Sequence, residues 1–180
     1  MIGPKTDIDI GVAQALAPFD EELVVEPYRV HLDYAEVRMM AKHYEIEPAS
    51  VNQLAKQMKD WRHREGGVDR EGLHSLSTCN QDGRWDWYEI GGRWDGYIPY
   101  SRQNSIKAET LAKGDYLADC LPCFVLTPDG VWLEHERFYF SNNGKESQKE
   151  ALDDKTWLSI IREVLSRWPN HRVVCVDIHS

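Results

Sequence analysis

The chain is expected to fold around the run Arg84-Trp85-Asp86-Trp87-Tyr88-Glu89-Ile90-Gly91-Gly92-Arg93-Trp94. This run holds three of the seven tryptophans, two arginines and a glycine pair. As a β-strand, it would point alternate side chains to opposite faces of a sheet. Because glycine accepts the positive φ angles of a type I′ turn, Gly91-Gly92 predicts a two-residue hairpin loop.

In that register, one face of the hairpin is expected to pack in the core and the other to form a site. The core face would carry Trp85, Trp87, Trp94 and Ile98, and the site face Asp86, Tyr88, Arg93, Asp95 and Tyr97. Two points stay open, because tryptophan rings suit a core and a site alike, and arginine beside rings suits a pocket or a solvated face. The predicted ligand-binding residues are Arg84, Trp85, Asp86, Trp87, Tyr88, Arg93, Trp94 and Asp95.

Length and composition indicate a globular protein. A chain of 180 residues suits a single domain, with residues 1–8 as a flexible leader. The mean hydropathy is -0.57, and no apolar run is long enough to cross a membrane. The N-terminus lacks a signal-peptide pattern, and the four cysteines lack the spacing of a disulfide framework. We therefore expect a cytoplasmic protein with reduced thiols.

The charge distribution points to an anionic ligand rather than to nucleic acid. A net charge of -9 argues against a general nucleic-acid binder, which needs a basic surface. Between residues 61 and 105, however, all six basic residues are arginine. The planar guanidinium grips carboxylate or phosphate in two places and stacks on rings. Pairing of these arginines with nearby surface acids is the alternative interpretation.

The remaining sequence predicts an α+β fold. Apolar residues at helical spacing, preceded by capping residues, indicate helices over 9–17, 33–44, 47–61 and 153–168. Strand-like runs lie at 22–30, 72–78, 123–126, 131–134 and 172–178. The turn residues Thr127-Pro128-Asp129-Gly130 predict a second hairpin. We expect a mostly antiparallel sheet packed on one side by amphipathic helices, for which a ferredoxin-like arrangement is one candidate.

No highly specific catalytic, metal or cofactor motif is present in the sequence. Cys120 and Cys123 have redox spacing, but a strand-like run follows where a helix N-terminus would lower the thiol pKa. Cys79 and Cys175 do not supply the second paired spacing of a zinc finger. We therefore predict neither a metal site nor a cofactor.

Two sets of residues are candidates for acid–base chemistry. Asp177 and His179 would share one strand face, and the run Glu134-His135-Glu136 could supply partners for a metal or an acid–base pair. Asp86 and Asp95 would share one hairpin face, as the paired carboxylates of glycoside chemistry require. Strand ends commonly carry such residues without a catalytic role.

The run from Trp85 to Trp94 resembles a motif in a family of uncharacterised proteins from bacteria and their phages. Similar segments are Ala17-Pro18-Phe19-Asp20-Glu21, Val25-Glu26-Pro27-Tyr28-Arg29 and Val176-Asp177-Ile178-His179. The resemblance covers most of the chain and implies an α+β fold and carriage by a mobile element, but no known activity. Members of the family begin with an extra apolar strand that this chain lacks. The sheet is therefore expected to be one strand short, or to have its edge filled by a partner chain in a homo-oligomer.

Three functions fit these observations. The main hypothesis is a binding protein without catalysis, related to phages or mobile elements. It would take a small anionic, nucleotide-like ligand or a host protein at the Trp/Arg-rich hairpin, and could thereby inhibit host defence. The alternative is a small hydrolase that uses Asp86 with Asp95, or Asp177 with His179. A third function is an inhibitor whose acidic surface occupies a nucleic-acid-binding partner.

Overall fold

The computed structural model describes residues 1–99, 101–140 and 147–179. The chain forms two compact units, each described by itself. The discontinuous unit comprises Met1–Asp20 and Arg84–Ser180, and the inserted unit comprises Glu21–Gly83. No extended linker marks either boundary in the sequence, and the single domain expected from it stays a prediction.

The predicted α+β class is confirmed. The helices are α1 (Ile8–Leu16), α2 (Tyr34–His43), α3 (Val51–Lys56), α4 (Met58–Arg62), α5 (Ala108–Lys113) and α6 (Asp154–Arg167). The first six strands are β1 (Tyr28–His31), β2 (Gly66–Val68), β3 (Leu73–Ser77), β4 (Trp87–Ile90), β5 (Ser105–Lys107) and β6 (Phe124–Leu126). The others are β7 (Trp132–Glu134), β8 (Glu136–Phe140), β9 (Ser147–Ala151), β10 (Arg172–Val174) and β11 (Val176–His179).

The inserted unit contains a three-stranded antiparallel sheet in the order β1-β3-β2. Its helix α2 begins with the predicted capping box, in which Glu36 N–H donates to Asp33 Oδ1 at 2.8 Å and Asp33 N–H donates to Glu36 Oε2 at 3.1 Å. The helix predicted over 47–61 is divided at Gln57 into α3 and α4. The core residues with the least exposure are Met40, Ala41, Leu54, Met58 and Leu73.

In the discontinuous unit, strands pair antiparallel two by two within the described ranges: β4 with β11, β5 with β10, β6 with β7, and β8 with β9. The hairpin predicted at 127–130 is confirmed as β6–β7. Thr127 Oγ1 accepts Val131 N–H at 2.9 Å, and Gly130 supplies the positive φ of the turn. The predicted strand at 172–178 is divided at Cys175 into β10 and β11, which pair with different partners.

Helix α6 follows the amphipathic pattern read from the sequence. Its N-cap is Asp153, whose Oδ1 accepts Thr156 N–H at 3.0 Å. Trp157, Ile161 and Leu165 recur at helical spacing and are at most 3% exposed. This stripe therefore forms the centre of one hydrophobic cluster of the discontinuous unit.

The hairpin predicted at Gly91-Gly92 is wrong. β4 pairs with the C-terminal strand β11, so that Ile90 lies opposite Val176. Both glycines adopt the positive φ expected of them, +79° and +52°, but the chain continues into a 3-10 turn over Gly92–Trp94. The C-terminal strand takes this place because Val176 joins Ile90 in an apolar cluster, which burial stabilises.

The two faces of β4 are the reverse of those predicted. Tyr88 and Ile90 pack against an apolar cluster, whereas Trp87 is 51% exposed. Trp94, after the 3-10 turn, is 45% exposed. Trp85 precedes β4 and is partly buried in the cluster, where its Nε1–H donates to the Leu16 carbonyl at 2.9 Å. The predicted alternation of side chains along β4 is therefore correct. The large tryptophan rings, however, did not identify which face is buried.

Residues 1–8, expected to be a flexible leader, make contacts within the discontinuous unit. Ile2 is 5% exposed and exchanges two backbone hydrogen bonds with Arg172, each of 2.9 Å. Asp7 caps α1 by accepting from the Asp9 and Ile10 N–H groups. Burial of the apolar Ile2 side chain offsets the entropy lost by fixing this segment.

Candidate functional site

The end of the β4–β11 ladder determines the geometry of the candidate site. Gly91 N–H donates to the Cys175 carbonyl at 3.0 Å, after which the 3-10 turn begins. The next residue, Gly92, has a φ of +52°, and a Cβ there would lie 2.6 Å from the Asp177 Cβ. Glycine is required at this position because any larger residue would overlap β11.

This close approach lets Arg93 enclose the carboxylate of Asp177, which is 2% exposed. Asp177 Oδ2 accepts the backbone N–H of Arg93 at 3.0 Å and its Nε–H at 2.8 Å, and Oδ1 accepts Nη2–H at 2.6 Å. The hydrogen bonds and charge of Arg93 hold the pKa of Asp177 at about 2, and those of Asp177 raise the pKa of Arg93. Both groups are ionised at neutral pH, and Asp177 is poorly suited to act as a general base.

A cavity of about 390 Å³ in the discontinuous unit is lined in part by this ion pair. Its volume falls within the range of roughly 300–1,000 Å³ found for small-molecule sites. Trp94 and Tyr97 also line it, with ring centroids 5.4 Å apart in an edge-to-face arrangement. Most of the remaining lining is apolar and includes Leu111, Leu117, Ile161, Leu165 and Val173. The cavity therefore combines an apolar wall with one ion pair and two exposed rings.

A second polar pair lies at the other end of the same ladder. His179 Nδ1 lies 2.9 Å from Asp86 Oδ1, and both side chains are exposed. A carboxylate at this distance fixes the orientation of an imidazole and favours the Nδ1–H tautomer. The predicted pairing of Asp177 with His179 is therefore replaced by two separate pairs, Asp177 with Arg93 and His179 with Asp86.

The other predicted residues have partners of their own. Asp95 Oδ1 accepts Asn104 Nδ2–H at 2.8 Å, so this carboxylate holds a loop. Arg84 Nε lies 3.6 Å from Glu134 Oε1. His135, considered as a partner for Asp177 and His179, stacks on Trp157 with centroids 5.7 Å apart.

The eight predicted ligand-binding residues thus lie in several different parts of the discontinuous unit and do not form one site. Arg93 and Trp94 line the cavity. Trp85 and Tyr88 pack in an apolar cluster, and Trp87 is exposed on the outer face of β4. Asp86, Asp95 and Arg84 bind the polar side chains already described.

Sequence reasoning missed Asp177 as the partner of Arg93. The available signal was a single carboxylate within the apolar strand Val173-Val174-Cys175-Val176-Asp177-Ile178, since a buried charge requires a partner. Tyr97 was placed on the site face but was not included among the binding residues. It became identifiable only once the 3-10 turn brought its ring beside Trp94.

Comparison of the chain with protein-family models, curated proteins and solved structures gave no match. Among the described helices, none is long and apolar enough to cross a membrane. Within residues 1–99, 101–140 and 147–179, one group of three metal-ligating side chains gathers closely: His31, Asp69 and His74 of the inserted unit. The sequence interpretation had considered none of these three residues for a metal site.

Proposed function

We propose that this protein is a binding protein without catalysis that takes a small ligand in the cavity of the discontinuous unit. The ligand would combine a planar ring with an anionic group, as a nucleotide does. The observation that supports this most directly is the lining of one cavity by Arg93, Asp177, Trp94 and Tyr97.

The two aromatic residues favour a ligand that carries a ring. Trp94 is 45% exposed and Tyr97 is 41% exposed, although both are large apolar side chains. A ligand ring that stacks on them would remove this surface from water and add a ring–ring contact. We therefore expect stacking to supply most of the affinity.

Arg93 favours a negatively charged end on the same ligand. Its side chain is 71% exposed even though Asp177 is buried. A guanidinium carries five N–H donors, of which the Asp177 carboxylate engages two. The Asp177 charge offsets that of Arg93, so we expect the anion to select the orientation of the ligand more than to determine its affinity.

Isothermal titration calorimetry tests the proposal with two exposed tryptophans of the same unit. The probes are adenosine monophosphate and the anionic aromatic dye anilinonaphthalene sulfonate. Trp94→Ala should weaken binding of whichever probe binds by about fivefold or more, since stacking contributes about 1–3 kcal/mol per base. Trp87→Ala is the matched control, because Trp87 has a similar exposure but is not among the residues that line the cavity. Equal affinities of the two variants, or no binding of either probe, would contradict the proposal.

A second candidate function is a small hydrolase, and the pairing of His179 with Asp86 favours it. An exposed imidazole oriented by a carboxylate can act as a general base toward water. Asp177 and Asp95 are not proposed for this role, because Arg93 and Asn104 bind them. Turnover of an ester or phosphodiester by the parent, lost in folded His179→Gln and Asp86→Asn variants, would establish this function instead.

The relation to phages, the inhibition of host defence and a host-protein partner remain part of the proposal on the basis of the sequence resemblance. Native mass spectrometry of protein purified from a bacterial host distinguishes a small ligand from a host-protein partner. A retained small anion supports the ligand function, and a stoichiometric host protein supports the partner.

A further inference from the structure

The sheet of the inserted unit places two histidines directly opposite each other. His31, the last residue of β1, pairs in register with His74 of β3. Directly opposed residues of antiparallel strands project from the same face of the sheet. On the other side of β3, the position opposite His74 is Gly67, whose lack of a side chain leaves space beside the imidazole.

Asp69 lies in the turn between β2 and β3 and faces both rings. Its Oδ1 lies 3.0 Å from His31 Nε2, and its Oδ2 lies 3.5 Å from His74 Nδ1. The N–H of Glu71 donates to Asp69 Oδ1 at 2.9 Å, which fixes the carboxylate within the turn. One ligand atom from each of the three residues lies within 4.8 Å of the others.

The nitrogen of His74 that faces this group is buried and forms no hydrogen bond with the residues that the structure describes. His74 is 7% exposed, and its Nδ1 has no hydrogen-bond partner within the described part of the chain. A buried polar atom left in this way is destabilising. On the outer side, His31 Nδ1 lies 3.6 Å from Glu71 Oε2. A carboxylate behind the second nitrogen of a histidine is typical of metal-ligating histidines.

We propose that His31, Asp69 and His74 bind a divalent first-row transition-metal ion, of which Zn²⁺ is the best match. The ligands are His31 Nε2, His74 Nδ1 and a carboxylate oxygen of Asp69. Two imidazoles and one carboxylate are a donor set that this class of ion accepts. The side chains of His31 and Asp69 are 29% and 21% exposed, so water can complete the coordination sphere. The proposal does not rest on the function proposed for the discontinuous unit.

The effect of removing Arg29 distinguishes a metal site from a group of ion pairs that is purely structural. Its Nη1 donates to Asp69 Oδ2 at 3.2 Å, and its side chain is 61% exposed. A guanidinium on this oxygen competes with a metal cation for the same negative charge. In the metal-bound form Arg29 turns into solvent. Its removal leaves all three ligands in place and therefore favours the ion.

The test is calorimetric titration of Zn²⁺ into the full chain after treatment with a chelator, with the bound metal counted by elemental mass spectrometry. The parent should show one saturable site that requires these residues. His31→Gln and Asp69→Asn should each weaken it by more than about tenfold, and Glu71→Gln by about tenfold. The control is His63→Asn, an exposed histidine at a φ of +53°, which asparagine tolerates. It should retain the affinity of the parent.

Two results of the titrations of the parent and the ligand variants would overturn the proposal. One is the absence of a saturable site in the parent. The other is an affinity in folded His31→Gln and Asp69→Asn equal to that in His63→Asn, with folding checked by circular dichroism. If the ligand variants do not fold, the Zn²⁺ affinity of Arg29→Ala tests the proposal. It should bind Zn²⁺ more tightly than the parent, and unchanged or weaker binding would overturn the proposal.

Discussion

Asp177 accepts three hydrogen bonds from a single residue, Arg93, which lies 84 positions earlier in the chain. This contact joins the 3-10 turn to the C-terminal strand, and both residues line the cavity. It depends on the forked shape of the guanidinium, because two of its nitrogens reach the two carboxylate oxygens separately.

Replacement of Arg93 by lysine should therefore destabilise the protein although the charge is kept. An ammonium group binds the carboxylate at one point and loses the paired geometry. We expect Arg93→Lys to lower the urea midpoint of unfolding, measured by circular dichroism. Arg162→Lys, on the exposed face of α6, is the control and should leave the midpoint unchanged. Equal midpoints for the two variants would contradict this role of Arg93.

Acid should lower the stability of the protein by protonating Asp177 of the Asp177–Arg93 pair. The pKa of Asp177 is about 2 in the folded chain, below its value of about 4 in an unfolded one. A depressed pKa contributes stability that is fully present above about pH 4 and is lost as the pH falls toward about 2. Unfolding free energies measured across this window should decrease more steeply for the parent than for Asp177→Asn. Asp69 also has a lowered pKa of about 2, held mainly by its hydrogen bond to His31, so the parent–variant difference isolates Asp177. Parallel curves would contradict the assignment.

Gly92 and Gly96 separate the effect of backbone strain from that of close packing. Both have positive φ angles, +52° and +71°. Among the described residues, a Cβ at Gly96 would meet no atom within 4 Å, whereas one at Gly92 would lie 2.6 Å from the Asp177 Cβ. Gly96→Ala should cost about 1–2 kcal/mol from strain alone, and Gly92→Ala should cost clearly more because β11 must shift. Thermal unfolding of the two variants measures the difference, and similar melting temperatures would mean that β11 yields easily.

The sequence identified those parts of the fold that depend on neighbouring residues. The capping box of Asp33 and Glu36, the β6–β7 hairpin and the stripe of α6 are each determined within a few positions of the chain. The partner of β4 is not local, because β11 lies about 90 residues away. Gly91 and Gly92 have the positive φ angles of a hairpin turn, yet which strand pairs with β4 depends on competition for apolar surface.

In the candidate site, too, the sequence identified neighbouring residues but not contacts between distant segments. Arg93 and Trp94 were selected from the run that contains them, and both line the cavity. The cavity itself is formed by segments distant in sequence, and no periodicity indicates an enclosed space. The group of His31, Asp69 and His74 is likewise invisible without the register of β1 on β3, because its first and last members are 43 positions apart.

Among the four cysteines, Cys79 should react faster with iodoacetamide than Cys120 or Cys175. A hydrogen bond with Ser77 and the charge of Arg64, whose Nη2 lies 3.2 Å from the Cys79 Sγ, lower the pKa of this exposed thiol. Burial raises the pKa of the thiols of Cys120 and Cys175. Since the thiolate is the reactive form, the part of the difference that comes from ionisation should disappear at a pH high enough to ionise all three thiols.

Peptide mass spectrometry after brief alkylation measures the rate at each cysteine of the folded protein. Arg64→Gln should slow the modification of Cys79, because it removes the positive charge beside the sulfur while leaving Cys120 and Cys175 unchanged. Arg162→Lys again serves as the control. An unchanged rate at Cys79 in Arg64→Gln would show that exposure alone, and not the arginine, determines its reactivity.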